Sequence, residues 1–498
     1  MTVMVRRVRR AKRGRIMSNK HTVEKIGGTS MSQTGELLDN VLIGDRRESE
    51  LYNRVFVVSA YGGFTDDLLE HKKSGEPGVY ALFSSAETDG SWNEKLSEVG
   101  RRMRRRNAEI FDEPKACETA DNFVTERIEG VRTCLVDLQR LCSYGHFRLD
   151  NHLLTVREML AALGEAHSAF NTALLLRLKG VNARFVDLTG WRDDDHLDLD
   201  ERIGKAFEGI DIGSELPIAT GYAQCRQALM ATFDRGYSEV TLSRVAVVTA
   251  AREAIIHKEF HLSSADPKVV GEDVVRVIGE TNYDVADQLS NMGMEAIHPS
   301  AAKSLRQADI PLRIKNAFDP EHPGTLIRAD LKARMPGVEI VTGLESVFAF
   351  EFFEQDMVGV KGYDAAILET LRRHKVSIVA KNSNANAITH FLKGSLKAVK
   401  RVEADLSKEF SAAAIQSRKV AFISAIGRDL KGCNVALKAI GALASAGVEP
   451  LGLHDLPRKV DLQVILDQRD FEKSLIVLHR ALVEEAAEAP PAKKLQAA

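Results

Sequence analysis

The feature that most limits the fold is a series of short, β-branched apolar runs separated by helical patterns. The clearest, VFVVSA at Val55 to Ala60, opens into the turn-forming YGGFTDD. So short a run without polar alternation suits a strand covered on both faces, and the glycines after it end the strand. Ala183 to Leu188 (ARFVDL), Leu216 to Gly221 (LPIATG), Ala254 to His257 and Pro311 to Lys315 (PLRIK) repeat the texture. Helical spacing lies between them, most plainly from Val156 to Leu178, where Met159, Leu160, Leu163, Ala166, Phe170, Leu174 and Leu178 recur. Strands alternating with helices predict a largely parallel sheet with helices on both faces. Asp66 to Arg140 is more charged and mostly helical in pattern. Its basic run RRMRRR, Arg101 to Arg106, is flanked closely by acids and reads as a solvated helix face in preference to a nucleic-acid patch.

At 498 residues the chain exceeds what one hydrophobic core supports, so more than one domain is expected. A hydrophobic fraction of 44%, a charged fraction of 28% and a net charge of -2 describe an ordinary globular protein with no overall polyanion-binding character. The cysteines (Cys117, Cys134, Cys142, Cys225, Cys433) are odd in number and lack C-x-x-C spacing. Neither a disulfide framework nor a zinc site is expected, and a reducing cytoplasm fits. No apolar run approaches the length that crosses a bilayer, so the expectation is a cytoplasmic protein with neither membrane nor nucleic acid as partner. Residues 1–20 carry eight Lys or Arg and no acid before the composition changes at His21. They read as a disordered, dispensable extension or the product of an upstream start codon, with Met17 just ahead of the first strand.

After Ile327 the texture changes to two copies of one pattern. The first has a strand (Ser346 to Glu354), a helix (Tyr363 to His374), two strands (Val376 to Lys381, Asn386 to Phe391) and a helix from Ser395. The second has a strand (Lys419 to Ala425), a helix (Cys433 to Ala446), strands near Pro450 to His454 and Val460 to Asp467, and a helix from Phe471. Each lacks the last strand of a βαββαβ unit. The extra strand Val338 to Thr342 can complete one of them, which would interleave the copies. The pair resembles ACT domains, the amino-acid-sensing modules of biosynthetic enzymes.

The strongest local signal for chemistry is KIGGTSM, Lys25 to Met31, directly after the short strand His21 to Glu24. Gly27 and Gly28 let backbone N–H groups approach a polyphosphate, and Lys25 adds a positive charge. No G-x-x-x-x-G-K-[ST] and no convincing G-x-G-x-x-G competes. Four further motifs follow in order: SAYGGFTD (Ser59 to Asp66), LGEAHS (Leu163 to Ser168), FDRGYSEVT (Phe233 to Thr241) and SADPK (Ser264 to Lys268).

In this order the motifs resemble those of aspartate kinases of the amino-acid kinase superfamily, whose versions are close to KFGGTS, SAMGGVTD, a GE-x-x-S helix, GRGGSD and a TDP-Arg loop. The resemblance continues through Ala296-Ile297-His298-Pro299 and IKNAFDPEHPGTLI to about Glu485. It implies an α/β protein: a three-layer αβα kinase domain at 21–330 with a mainly parallel sheet, then two ferredoxin-like ACT domains at 338–414 and 415–488, and a tail at 489–498. It also implies phosphoryl transfer from ATP, with Mg²⁺, to L-aspartate, and a homodimer or higher homo-oligomer formed through the ACT-like domains. Carried over, Lys25 is the phosphate lysine and Glu239 a second catalytic residue. Gly27, Gly28, Lys258, Asp266, Lys268 and Lys315 face the nucleotide, while Thr29, Ser59, Thr65, Glu165, Arg235 and Ser238 surround aspartate; no protein side chain is assigned as a metal ligand. Arg235 can hold a carboxylate bidentately and Glu165 can receive the α-ammonium group.

The departures cluster on the nucleotide side. Gly236-Tyr237-Ser238-Glu239 replaces GGSD, and HKEFHLSSADPK (His257 to Lys268) replaces a stretch like TDVDGIYTTDPR. His257 and His261 stand four apart, a helical metal-ligand spacing without a third ligand, and the acidic loop Asp193 to Glu201 reads as a solvated turn in preference to a calcium loop. With these departures the chain looks most like the branch associated with ectoine synthesis. Two other readings stay open: a kinase of this fold acting on another amino-acid carboxylate, and a catalytically inactive amino-acid sensor. The second ACT-like unit has LGLHDLPRKVDLQVIL where relatives keep a short effector-binding turn, whereas Met357 to Gly362 in the first unit retains a glycine-flanked one. Weak or absent inhibition by lysine alone and by threonine alone is the expectation, with the tail kept mainly for dimer formation.

Overall fold

In the parallel sheet of this chain even the polar strand residues find partners, which is how a sheet buried on both faces tolerates Glu24, Lys25 and Arg54. The computed structural model describes residues 20–485 apart from 73, 86–89, 234–235, 295–296 and 334. The basic extension (but for Lys20), Arg235, Ala296 and the tail 489–498 lie outside the described residues. The chain divides into two compact units, residues 1–260 with 303–322 and residues 261–302 with 323–498.

In the first unit six strands lie in the order Ala183–Val186, Leu216–Thr220, Arg54–Val58, Thr22–Ile26, Glu253–Lys258 and Leu312–Asn316. All neighbouring pairs are parallel, with Lys25 opposite Val57 on one side and Ile256 on the other. Successive residues point to opposite faces. On one face, Arg54 donates to both carboxylate oxygens of Glu24, at 2.9 and 3.3 Å, and to the carbonyls of Val41 and Leu42. The Lys25 face is covered by the helices Leu153–Leu178 and Tyr237–Val248. The former is buried along most of its length. Gly164 allows its close approach, since a Cβ there would stand 2.8 Å from that of Ala60.

Arg101 and Arg105 in the Ser91–Ile110 helix are exposed, but Arg102 and Arg106 correct the reading of this run as a purely solvated face. Their guanidinium groups lie 4.6 Å from the Phe64 ring centre and 5.0 Å from that of Tyr61. The i, i+4 spacing puts both on the side of the helix that meets the glycine loops. The acidic loop is likewise less open than expected. Asp193 pairs with Arg202 and Asp195 with Lys205, while Asp198 and Glu201 form the capping box of the helix Leu199–Ala206.

In the second unit an antiparallel sheet runs in the order Ser377–Ser383, Ala387–Lys393, Ile340–Phe353, Ala414–Ile426, Asp461–Leu466 and Gly452–Asp455. Two separate strands were expected at 338–342 and 346–354. One continuous strand is found, paired with Ala414–Ile426 from Phe353 opposite Ala414 to Ile340 opposite Ile426. Gly343 marks a close backbone approach and not a turn, because a Cβ there would stand 2.3 Å from the Phe422 carbonyl oxygen. The two long strands are shared between two ferredoxin-like βαββαβ units. The later half of Ile340–Phe353 pairs with Ala387–Lys393, and its first residues lie beside Phe422–Ile426. Helices Tyr363–Arg373 and Leu396–Glu409 pack on one core around Phe350, Phe352 and Leu392; Val435–Ser445 and Phe471–His479 pack on another around Ile423, Leu443 and Val464. No helix among the described residues is long and apolar enough to cross a membrane.

Candidate active site

Lys25 stands near the carboxyl end of its strand, where ligands of open parallel sheets generally bind. Its neighbours Gly27 and Gly28 serve different ends. A Cβ on Gly28 would lie 2.7 Å from the Ala60 carbonyl oxygen, so packing against the next loop demands glycine. A Cβ on Gly27 would meet nothing closer than 3.9 Å, its nearest neighbours being Glu259 Oε1, the His257 carbonyl and Lys25 Nζ. A side chain at Gly27 would thus make only ordinary van der Waals contacts, with the Lys25 ammonium on the same side.

Glu239, from the first turn of the Tyr237–Val248 helix, joins two cations. Its Oε1 is 3.8 Å from Lys25 Nζ and 3.8 Å from Lys258 Nζ. Lys258 shares the face of Lys25 because it lies two residues beyond Ile256, the register partner of Lys25. The strand expected to end at His257 runs to Lys258, which brings this second ammonium into the sheet.

Glu165, from the Leu153–Leu178 helix, is 2% exposed, and its Oε2 accepts no hydrogen bond. Burial pushes its carboxyl up to about 8, against the opposing pull of the Tyr237 hydroxyl, Lys25 and the amides of Tyr222 and Ala60. Ser238 is buried in the first turn of its helix, and its Oγ accepts from Ser59 Oγ at 3.3 Å. Gly221 fits between them, since a Cβ there would lie 2.8 Å from the Ser238 Cβ and 3.1 Å from Glu165 Oε2. Lys25, Glu239, Lys258, Ser59, Ser238 and Glu165 are thus linked around the glycine turn.

The other expected residues are placed less centrally. Thr29 is exposed in the short helix Gly28–Met31, and Thr65 lies in the short helix Phe64–Leu68 after Gly63, which has φ 82°. Lys315, on the last parallel strand, donates to the Pro320 carbonyl at 3.0 Å, and burial lowers its pKa. Asp266 and Lys268 belong to the second unit, where the Asp266 carboxylate caps the helix Pro267–Val270 by accepting from the Lys268 amide at 2.9 Å. Arg235 is outside the described residues.

Several contributors were not foreseen. Ser32 Oγ accepts from the Gly62 amide at 2.8 Å and donates to the Gly28 carbonyl at 3.2 Å, stitching the two glycine loops together. Arg106 donates to the Ser32 carbonyl at 2.6 Å and to Thr34 Oγ1 at 2.8 Å, and Arg102 to the Gly62 carbonyl at 3.3 Å. Behind Lys25, His257 donates from Nε2 to Glu24 Oε2 at 2.8 Å. Burial alone would raise the Glu24 carboxyl, but Arg54 and His257 together hold it well below its ordinary value. His257 is therefore a buried strand residue, and no helix carries it with His261 as a ligand pair. Further back, His167 donates to Asn107 Oδ1 at 2.7 Å, and burial keeps its imidazole neutral with a pKa of about 3.

Residues 20–316 match the sequence profile of the Amino acid kinase family. The chain is also 53% identical, over 93% of its length and 98% of the relative's, to "Aspartate kinase Ask_Ect" of Stutzerimonas stutzeri (strain A1501). The chain belongs to the amino acid kinase family, in its aspartate kinase branch. "Aspartokinase 2, chloroplastic" of Arabidopsis thaliana is a more distant member, 23% identical over 93% of this chain and 84% of that one. Among solved structures, E. coli aspartokinase III in complex with lysine and aspartate (T-state) superposes with a TM-score of 0.71, covering 93% of this chain and all of that one. At 18% identity this is a likeness of fold. The aspartate kinase branch thus accounts for both sheets, and the kinase family implies the use of ATP.

Proposed function

We propose that this chain transfers the γ-phosphoryl group of ATP to the side-chain carboxylate of L-aspartate, giving 4-phospho-L-aspartate. One observation carries the reading: Lys25 lies beside the glycine turn and shares Glu239 with Lys258, while the buried, under-bonded Glu165 lies within reach of the field of Lys25. Cations at a glycine turn suit a polyphosphate, and a buried carboxylate suits an ammonium. An amino acid phosphorylated by a nucleotide requires both.

The acceptor carboxylate is ionised at neutral pH, so no general base is needed. The barrier is the approach of one anion to another. Lys25 is assigned to the transferring phosphate, with Lys258 beside it and Glu239 holding both cations in place. Ser59 and Ser238 orient the amino acid, joined by Thr29, Thr65 and Arg235, and Glu165 receives its ammonium. Gly27, Gly28, Asp266, Lys268 and Lys315 are assigned to the nucleotide. Mg²⁺, when bound with ATP, supplies further neutralisation of phosphate charge.

The 53% identity to Ask_Ect supports placing the chain in the branch associated with ectoine synthesis. The family match supports assigning the kinase reaction to 21–330, and the shared long strands support a regulatory pair at 338–414 and 415–488. The mostly exposed edge strand Ser377–Ser383 supports assembly of this pair into a homodimer or higher homo-oligomer. The free cysteines suit the cytoplasm. Purified protein with aspartate, Mg-ATP and hydroxylamine should form the hydroxamate of the trapped acyl phosphate. Phosphate release without hydroxamate, or hydroxamate formation from glutamate in preference to aspartate, refutes the assignment.

A further inference from the structure

We infer that Glu259 is the carboxylate that couples nucleotide binding to a divalent cation in this chain, an assignment that rests on the proposed kinase reading of the site. Glu259 immediately follows Lys258 at the end of the Glu253–Lys258 strand. Its Oε1 accepts from the Ser30 amide at 3.1 Å and from Ser30 Oγ at 2.9 Å. The same oxygen and Lys25 Nζ each lie 3.9 Å from the point where a Cβ on Gly27 would stand, so a carboxylate and an ammonium border the same side of the turn.

Glu239 and Glu259, both close to Lys25, differ in kind. Glu239 lies 3.8 Å from each of two ammonium groups, so its charge is already balanced. Both hydrogen-bond partners of Glu259 belong to the neutral Ser30, and the carboxylate is half-buried. A nucleotide phosphate arriving at Gly27 meets this negative charge. Like charges at such range in a low-dielectric site repel, whereas a divalent cation between them attracts both. Magnesium characteristically takes one or two carboxylates together with phosphate oxygens and keeps the rest of its shell as water, and one carboxylate beside a phosphate-binding turn meets that need. The sequence departs from the family pattern here: the acid of the Thr-Asp pair is absent at His257-Lys258, and a carboxylate reappears one position later, at Glu259.

The test is the affinity for ADP with Mg²⁺ and with EDTA, measured by titration calorimetry on the full chain. Glu259→Gln keeps an oxygen to accept from Ser30 and removes only the charge. In the parent protein Mg²⁺ should tighten ADP by about 50-fold, and in Glu259→Gln and Glu259→Ala by about 3-fold or less, chiefly because metal-free ADP binds better. Ser30→Ala separates a role as turn support, which would weaken ADP equally with and without metal. An unchanged Mg²⁺ gain in both Glu259 variants overturns the inference while leaving the kinase reading intact. A parent protein that binds no adenine nucleotide under either condition overturns that reading as well.

Discussion

Replacing Glu165 by Gln should stabilise the empty protein and abolish its response to aspartate, and both effects follow from one buried carboxyl. Burial raises the group from 4.5 to about 8. The unfolded chain therefore ionises Glu165 above about pH 4.5 while the empty folded protein keeps it protonated up to about pH 8. Across that window the folded state binds more protons, so the stability contributed by the neutral carboxyl is full at low pH and is lost as pH rises to 8. The slope is about 1.4 kcal/mol per pH unit, and the loss reaches roughly 4 to 5 kcal/mol at pH 8, an upper bound because a real site admits some water. Gln stays neutral throughout. At about 2 °C per kcal/mol for a unit of this size, the melting temperature of Glu165→Gln should rise relative to the parent by about 6 °C between pH 5 and pH 8.

Saturating aspartate reverses the order. Its ammonium supplies the partner that Glu165 Oε2 lacks, so the parent gains stability on binding and its carboxyl ionises, whereas the amide offers no charge. Calorimetric scans of both proteins at several pH values, with and without aspartate, read both effects. A melting gap that stays flat with pH would falsify the burial argument. Aspartate stabilisation that persists undiminished in Glu165→Gln would place the ammonium elsewhere.

Lys25→Ala should lower turnover by orders of magnitude with the melting temperature little changed; near-normal turnover in steady-state assays removes Lys25 from the phosphate site. Gly28→Ala should cost about 1 to 3 kcal/mol of stability, because its Cβ would stand 2.7 Å from the Ala60 carbonyl oxygen, and a parent-like melting curve refutes that contact. Arg235→Lys should raise the KM for aspartate far more than that for ATP, since an ammonium cannot reproduce the guanidinium fork; equal losses reject its assignment to the amino acid. Neither lysine nor threonine alone should inhibit strongly at low millimolar concentration, and deletion after Pro336 should change assembly in size-exclusion profiles without raising activity. Strong inhibition that is lost on changing Gly359 or His454 would show a working effector site instead.

The parts legible in the sequence are those whose signal is local. Apolar runs and helical periods reveal the strands and the long buried helix, and glycines beside Lys25 and Ser59 reveal the loops at the strand ends. What pairs across the sheet leaves no local trace. Glu24 meets Arg54 thirty residues away and His257 far beyond, and nothing in TVEKI distinguishes this glutamate from a solvated one. Arg102 and Arg106 read as members of a charge run because composition ignores which side of a helix each faces. Gly343 reads as a break because a glycine admitting a neighbouring strand and a glycine making a turn look alike in one dimension.

The alternation along two adjacent strands separates the parts played by the residues that depart from the family pattern. On Thr22–Ile26 and Glu253–Lys258, Glu24 and His257 point to one face, where they form a buried hydrogen-bonded network with Arg54. Lys25 and Lys258 point to the other, where Glu239 lies between them. Each side of the sheet therefore receives one residue from each dipeptide, Glu24-Lys25 and His257-Lys258. A one-residue change of register would carry Glu24 to the face of Lys258 and Glu239 and bury Lys25 against Arg54. The histidine and lysine that replace the family's Thr-Asp pair are thus two separate adaptations: His257 completes the network behind the strand, and Lys258 adds a cation in front of it. One residue beyond that cation, past the strand end, Glu259 places a carboxylate beside Ser30.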